Sequence, residues 1–150
     1  MPKKTKNLQY YEGIGRRKSA VARVRLYILG KDRVINTEGL KIKAGEIFVN
    51  KKPIGDYFPS LIEKNLYLMP LRITDNIDRF AISIKVNGGG KNGQLEAITH
   101  GIARALLLID EANKKILKPT GLLTRDQRKK QRRKVGTGGK ARRKKQSPKR

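Results

Sequence analysis

Residues 126–150 cannot form a hydrophobic core, because Val135 and Ala141 are the only apolar side chains among them. Residues 125–150 contain 14 lysines and arginines but a single acid, Asp126, and therefore hold about half of the formal net charge of +25. Such self-repulsion disfavours a compact monomer unless a polyanion neutralises it. We therefore predict one globular domain at residues 9–121, a flexible N-terminus at 1–8 and an extended basic tail at 122–150.

The composition excludes several kinds of protein. The chain has no cysteine, which rules out a disulfide scaffold, a cysteine-based zinc site and thiol catalysis. Its longest strongly apolar run, "ALLLI" at 105–109, is too short to cross a bilayer, and no apolar segment follows the basic start "MPKKTKN". We expect no cofactor, metal, membrane partner or homo-oligomer, and a cytoplasmic location.

The apolar periodicity predicts a small α+β domain. Residues 20–29 and 80–87 alternate as strands with one buried face do, and the spacing over 54–77 is helical, with Ser60 as a candidate N-cap. Residues 94–116 repeat apolar side chains with a period of 3.6. The stripe of this helix is Leu95, Ile98, Ile102, Leu106 and Ile109, its small-residue flank is Ala97, Gly101 and Ala105, and shorter strand candidates lie at 33–36, 40–43 and 46–54. Strands on both sides of short helices, closed by one long helix, indicate two layers.

The segment "GGGKNG" matches the dinucleotide-binding pattern through Gly88, Gly90 and Gly93, between a predicted strand and a predicted helix. The acidic residue that should end a second parallel strand, Asp110, instead lies at the end of the helix, and no later stretch reads as a strand. We therefore disfavour a nicotinamide-dependent oxidoreductase. What remains is that backbone amides at a helix N-terminus suit a phosphate.

The motif "GIGRRKS" at 13–19 precedes a strand whose outer face carries Arg23, Arg25 and Tyr27. An isolated basic triplet is usually a solvated turn, but guanidinium groups bind phosphates and a tyrosine offers a stacking surface, so the context favours a nucleic-acid face. The single histidine, His100, shares a helical row with Glu96 and Arg104. Without convergent partners it is expected to be a surface or RNA-facing residue rather than a catalytic or metal-binding one.

Three segments, residues 10–26, 86–107 and 121–150, carry the motifs G-R-R-K-S, G-G-G-x-x-G-Q, H-G-I-x-R-A-L and T-R-D-x-R. In order and spacing they resemble small-subunit ribosomal protein nine of bacteria and organelles. The resemblance implies a fold like that of ribosomal protein S-five domain 2, bound to rRNA in the head of the small subunit beside neighbouring head proteins. It also implies a C-terminal tail that reaches the anticodon stem-loop of the peptidyl-site tRNA.

From the basic motifs and the positions that match the family, we expect a set of nucleic-acid contacts. Those to rRNA are Arg16, Arg17, Lys18, Ser19, Arg23, Arg25, Gly88, Gly89, Gly90, Lys91, Gly93, Gln94, His100, Arg104, Thr124, Arg125, Arg128, Lys129, Arg132, Arg133, Lys134, Lys140, Arg142 and Arg143, and those to tRNA are Lys149 and Arg150. A free protein that compacts DNA or RNA is the alternative within nucleic-acid binders.

The chain departs from the family pattern in two places. Residues from about 30 to 45 look longer than the typical bacterial form and suggest a lineage-specific hairpin. The chain ends in "QSPKR", where the usual ending resembles Gln-Phe-Ser-Lys-Arg, so a Phe contact and a Ser contact are replaced. Pro148 favours an extended Ser147, which keeps the tip directed. The pattern does not distinguish a bacterial from an organellar source.

Overall fold

A computed structural model describes residues 3–5, 8–29, 34–37 and 39–132 of the chain. The strands are β1 (Lys3–Thr5), β2 (Leu8–Arg17), β3 (Ala20–Tyr27), β4 (Val34–Thr37), β5 (Leu40–Lys43), β6 (Ile47–Val49), β7 (Lys52–Pro53) and β8 (Ala81–Asn87), and the helices are α1 (Ile54–Tyr57), α2 (Leu61–Ile73), α3 (Lys91–Ile109) and α4 (Asn113–Leu117). Six strands form one sheet in the order β1-β2-β3-β8-β6-β7, in which only β6 and β8 run parallel, and β4 with β5 forms a separate hairpin. The α+β class predicted from the periodicity is confirmed.

The helices cover one face of the sheet and enclose the main core. The predicted apolar stripe of α3 is buried against β3 and β8 through Leu95, Ile98, Ile102 and Leu106, while Ile109 at its end is half-buried. The residues of β3 and β8 that face α3 form the other side of this core, as predicted: Ala20, Ala22, Val24, Leu26, Ile82, Ile84 and Val86. Helix α2 begins after Ser60, whose backbone N–H donates to Glu63 at 3.2 Å, as in a capping box.

The backbones of β2 and α3 approach each other so closely that no side chain fits between them. A Cβ on Gly15 would overlap the carbonyl oxygen of Ala97 and lie 2.5 Å from the backbone nitrogen of Gly101. A Cβ on Gly13 would lie 2.6 Å from the backbone nitrogen of Ala105. The small-residue flank of α3 was predicted to allow close packing, and this packing is confirmed, with β2 as its partner.

The opposite face of the sheet is partly covered by the β4–β5 hairpin, in the region predicted to be a hairpin. A second buried cluster forms beneath it from Tyr10, Tyr27, Ile35, Ile42 and Ala81. The Tyr27 side chain is only 2% exposed, and its ring packs 5.6 Å from that of Tyr10. The expectation that Tyr27 offers a stacking surface to RNA is therefore wrong, because the hairpin covers it.

Four boundaries differ from the prediction. β3 ends at Tyr27, so Ile28, expected in the core, is 41% exposed. The long helix is divided into α3 and α4, because Asp110 has extended backbone angles. Part of the N-terminus expected to be flexible forms β1, and Leu122 and Leu123, assigned to the tail, pack against the core.

Candidate nucleic-acid interface

The β2–β3 turn and the glycine segment, two separate motifs in the sequence, lie side by side at one end of the sheet. Gly88 and Gly89 have φ angles of +71° and +68°, and a Cβ on Gly89 would lie 2.8 Å from that of Ala20. Only glycine takes this conformation at low cost and lets the loop rest on the turn. The sequence thus builds a concave cradle of 340 Å³. Its lining consists of Lys18, Ser19, Gly89, Gly90, Lys91, Asn92 and Gly93.

The cradle has the features of an anion site. Gly90 is the N-cap of α3 and has no side chain to cap it, so backbone N–H groups of the first turn lack an intrahelical partner. Lys18 and Lys91 are exposed at its rim, and none of the described residues that line it is acidic. A helix N-terminus beside two lysines favours a phosphate. Gln94 supports the loop from within, since its side chain donates to the Gly88 carbonyl at 3.1 Å and accepts from the Tyr57 hydroxyl at 3.0 Å.

Arg17, expected to face rRNA, is instead bound within the protein. Its side chain is 11% exposed and forms an ion pair with Glu96 and a second with Asp126 at 3.0 Å. It also donates to the backbone carbonyl of Arg128 at 3.1 Å. Asp126 in turn accepts from Arg128 at 2.6 Å. We call these four side chains, Arg17, Glu96, Asp126 and Arg128, the tail-root cluster, because they hold the start of the tail on the domain.

Asp126, one of the two acids of this cluster, stays ionised. Hydrogen bonds from the Arg128 side chain and backbone, together with the nearby Arg17, hold the pKa of Asp126 well below its usual range. Asp126 and Glu96 were not among the predicted site residues. For Asp126 the sequence does contain an indication, since it is the only acid in residues 125–150 and is surrounded by cations that could pair with it.

His100 and Arg104 lie on the same side of α3 as the tail root. His100 is half-buried, and burial together with Arg104 and Arg125 lowers its pKa, against a hydrogen bond to the backbone of Leu123 that raises it. Its Nδ1 atom has no hydrogen-bond partner among the described residues. The Arg104 side chain is exposed but donates to the carbonyl of Ile14 at 2.6 Å. Arg104 therefore ties α3 to β2, and the rRNA contacts expected of His100 and Arg104 stay predictions.

The remaining predicted contacts of the domain, Arg16, Arg23 and Arg25, lie on the face of β2 and β3 that points away from α3. Arg16 is exposed and Arg23 half-buried on the face opposite α3. Arg25, in the same face, donates to Glu12 at 3.0 Å, and its guanidinium lies 4.9 Å from the centre of the Tyr10 ring. Arg25 is thus engaged by an internal ion pair and a cation–π contact, and its expected contact with rRNA stays a prediction.

The tail itself is only partly described. Thr124, Arg125, Arg128, Lys129 and Arg132 are exposed and follow α4 without regular structure. The other predicted contacts lie outside the described residues: Arg133, Lys134, Lys140, Arg142, Arg143, Lys149 and Arg150. Within residues 3–5, 8–29, 34–37 and 39–132, no cluster of carboxylate and histidine ligands suits a metal ion, and no helix is long and apolar enough to cross a membrane.

The dinucleotide pattern does not have the required fold around it. β8 leads into α3 as a nucleotide-binding strand leads into its helix, but no strand follows α3 in the described part of the chain. The glycines instead seat the loop on the β2–β3 turn.

Comparison with known proteins identifies the family to which the chain belongs. The model of a family described as ribosomal protein S9/S16 matches residues 15–150. A protein of Maridesulfovibrio salexigens named small ribosomal subunit protein uS9 is 47% identical over 125 residues, which cover 83% of this chain and 85% of that protein. A protein of the same name from Solidesulfovibrio magneticus is 42% identical over 131 residues, which cover 87% and 90%. The chain therefore belongs to the ribosomal protein S9/S16 family in its bacterial form, and is a structural ribosomal protein rather than an enzyme.

Proposed function

We propose that the chain is a structural constituent of the small ribosomal subunit that binds rRNA in the subunit head, beside neighbouring head proteins. The names of its relatives support the subunit, and the observation that carries RNA binding is the cradle. There Lys18, Lys91 and the first backbone amides of α3 converge on one concavity. A bare phosphate group fits this arrangement better than a nucleotide cofactor, because no nucleotide-binding fold surrounds it.

The other cationic residues extend this interface. We propose that Arg16 and Arg23, on the sheet face that points away from α3, contact rRNA around the cradle together with Ser19 and the loop glycines. The exposed tail residues Arg125, Lys129 and Arg132, and the basic residues beyond them, are proposed to neutralise phosphates along its path. Arg17, Arg25, Gln94 and Arg104 are assigned a supporting role, since their side chains are bound within the domain.

The subunit assignment is tested by sedimentation. The tagged chain should migrate with the small subunit in a sucrose gradient and remain bound through a high-salt wash, because a docked domain and an ordered tail are not held by charge alone. A free nucleic-acid compactor would be removed by the wash, since an electrostatic complex weakens steeply with salt. Loss of the chain from the subunit under these conditions would reject the proposal.

We further propose that the C-terminal Lys149 and Arg150 contact the backbone of the peptidyl-site tRNA. Removing these two residues should weaken tRNA binding to the peptidyl site of purified small subunits, while the shortened chain still assembles. Each lost cation–phosphate contact should also reduce the salt dependence of tRNA binding by about 0.7 to 0.9 in the logarithmic slope. Replacing both residues by glutamine is the matched variant of equal length. Unchanged tRNA affinity in both would reject the contact.

A further inference from the structure

A second concavity lies on the face of the sheet that the helices leave uncovered. It has a volume of 240 Å³ and lies between the β4–β5 hairpin and the outer surface of β6 and β8. Its lining combines one aromatic ring with short polar and cationic side chains: Thr37, Leu40, Phe48, Asn50, Lys51, Ser83, Ile84, Lys85 and Asn87. We call it the hairpin groove. It is distinct from the cradle, with which it shares no lining residue.

The rim of the hairpin groove is built rigidly. Asn50 and Lys51 form the two-residue turn between β6 and β7, and both have positive φ angles, +48° and +69°. The Asn50 side chain fixes this turn to β8, since it donates to the Val86 carbonyl and accepts from the Val86 N–H, each at 3.0 Å. A lysine at a left-handed position, where glycine is preferred, is held beside the groove.

The composition of the hairpin groove selects its occupant. Phe48 and Leu40, both half-buried, supply an apolar floor, whereas Lys51 on the β6–β7 turn is exposed at the rim and none of the described lining residues is acidic. Drug-sized ligands occupy pockets of about 300–1,000 Å³, so this volume suits a single planar ring system. A ring with an attached anionic backbone, beside an aromatic side chain and an exposed lysine, is the chemistry of one nucleotide in an unpaired strand.

We propose that the hairpin groove binds one unstacked base of single-stranded RNA, with the base against Phe48 and an adjoining phosphate near Lys51. The inference rests on the proposed function, because the strand would belong to rRNA. It adds a site that recognises an unpaired nucleotide, whereas the cradle and the tail recognise the phosphate backbone.

The test uses the full chain and two probes that carry the same number of phosphates, an unpaired oligouridine and a self-complementary duplex. Affinity is measured at raised salt, where the contribution of the tail is reduced. Phe48→Leu should lower the affinity for oligouridine about five- to a hundredfold and leave the duplex affinity unchanged, because only an unpaired base can stack. Phe48→Tyr, which keeps an aromatic ring, is the matched control and should retain the preference.

Lys51→Gly separates binding from folding. Glycine adopts the left-handed conformation more easily than lysine, so the melting temperature should stay the same or rise. The salt slope for oligouridine should nevertheless fall by about 0.7, the value for one phosphate contact of a single strand. Irradiation of oligouridine that contains 5-bromouridine should join RNA to the peptide that includes Phe48.

Three results would overturn the inference: crosslinks only outside residues 47–53, equal losses for the unpaired and duplex probes in Phe48→Leu, or an unchanged salt slope in Lys51→Gly. Each would leave the ribosomal assignment intact, since that is decided separately by sedimentation. A chain that leaves the subunit in the salt wash but retains the Phe48 crosslink would reject the assignment and keep the groove as an RNA site.

Discussion

Arg17 and Lys18 are neighbours in the sequence but lie in opposite electrostatic environments. Arg17 is nearly buried in the tail-root cluster, between the carboxylates of Glu96 and Asp126. Lys18 is exposed in the cradle, where none of the described lining residues is acidic. The two regions share the end of one strand, so the acids determine which cation is held internally and which remains available to a phosphate.

The comparison shows why the count of positive charges overstates the binding surface. The chain has 37 lysines and arginines but only 12 acids, and two of those acids are used to fix one end of β2 to the root of the tail. Charge that is paired inside the protein holds the root of the tail on the domain. Charge that is not opposed by an acid is left for the polyanion.

The substitution with the largest expected effect removes the support of both regions at once. In Gly15→Ala the added methyl group would overlap the backbone of α3 at Ala97 and Gly101, so the strand that ends at Arg17, directly before Lys18, has to separate from the helix. We expect the free energy of unfolding to fall by about 3 kcal/mol or more, measured by urea denaturation.

The matched control is Gly55→Ala, at a position in α1 where an added Cβ meets nothing within 4 Å. Since alanine favours a helix, stability should be unchanged or rise by up to about 1 kcal/mol. Equal losses in the two variants would show that the close β2–α3 contact is not what stabilises this end of the sheet.

The same contact explains which parts of the fold the sequence predicts. β3, β8 and α3 follow from their apolar periods, because their buried faces are built from large apolar side chains. β2 does not, since its helix-facing positions include Gly13 and Gly15, and a strand that packs through its backbone has no apolar alternation. The small flank of α3 indicated a close partner but could not identify it.

The candidate site was predictable to a similar extent. The basic and glycine motifs indicated phosphate binding, but their meeting in one cradle depends on the long-range pairing of β3 with β8. The burial of Tyr27 depends on where a distant hairpin folds, and the ion pairs of Arg17 join residues from three separate segments. A local pattern identifies such side chains as cationic or aromatic, whereas only the fold decides what they contact.

Breaking the tail-root cluster should have the second-largest effect on stability. Arg17→Met keeps much of the apolar length of the side chain but leaves Glu96 and Asp126 without their shared cation. We expect a loss of about 1–3 kcal/mol, since hydrogen bonds to charged groups are the stronger ones. Backbone amides of residues 122–128 should also exchange faster with deuterated water. Unchanged exchange there would mean that the tail is held by Leu122 and Leu123 alone.

Lys18→Gln, at the next position, should have the opposite effects: it should weaken RNA binding and leave the stability of the fold nearly unchanged. Lys18→Gln removes a cation from the cradle, so the affinity for an RNA duplex should fall and the logarithmic salt slope should decrease by about 0.9. The free energy of unfolding should change by no more than about 0.5 kcal/mol, because Lys18 is exposed. Fluorescence anisotropy and urea denaturation on the same preparation separate the two effects. If Lys18→Gln destabilises the fold as Arg17→Met does, the contrast between the two regions fails.

The smallest effect is a pH dependence that originates beside the tail root. Burial, with Arg104 and Arg125 nearby, lowers the pKa of His100 in the folded chain, so the unfolded chain binds the proton more readily. Stability should therefore decline as pH falls below about 6.5, the ordinary histidine value. His100 is the only histidine, and His100→Gln should flatten the melting temperature between about pH 7 and 5.5. A decline of equal size in the variant would assign the proton uptake to the carboxylates instead.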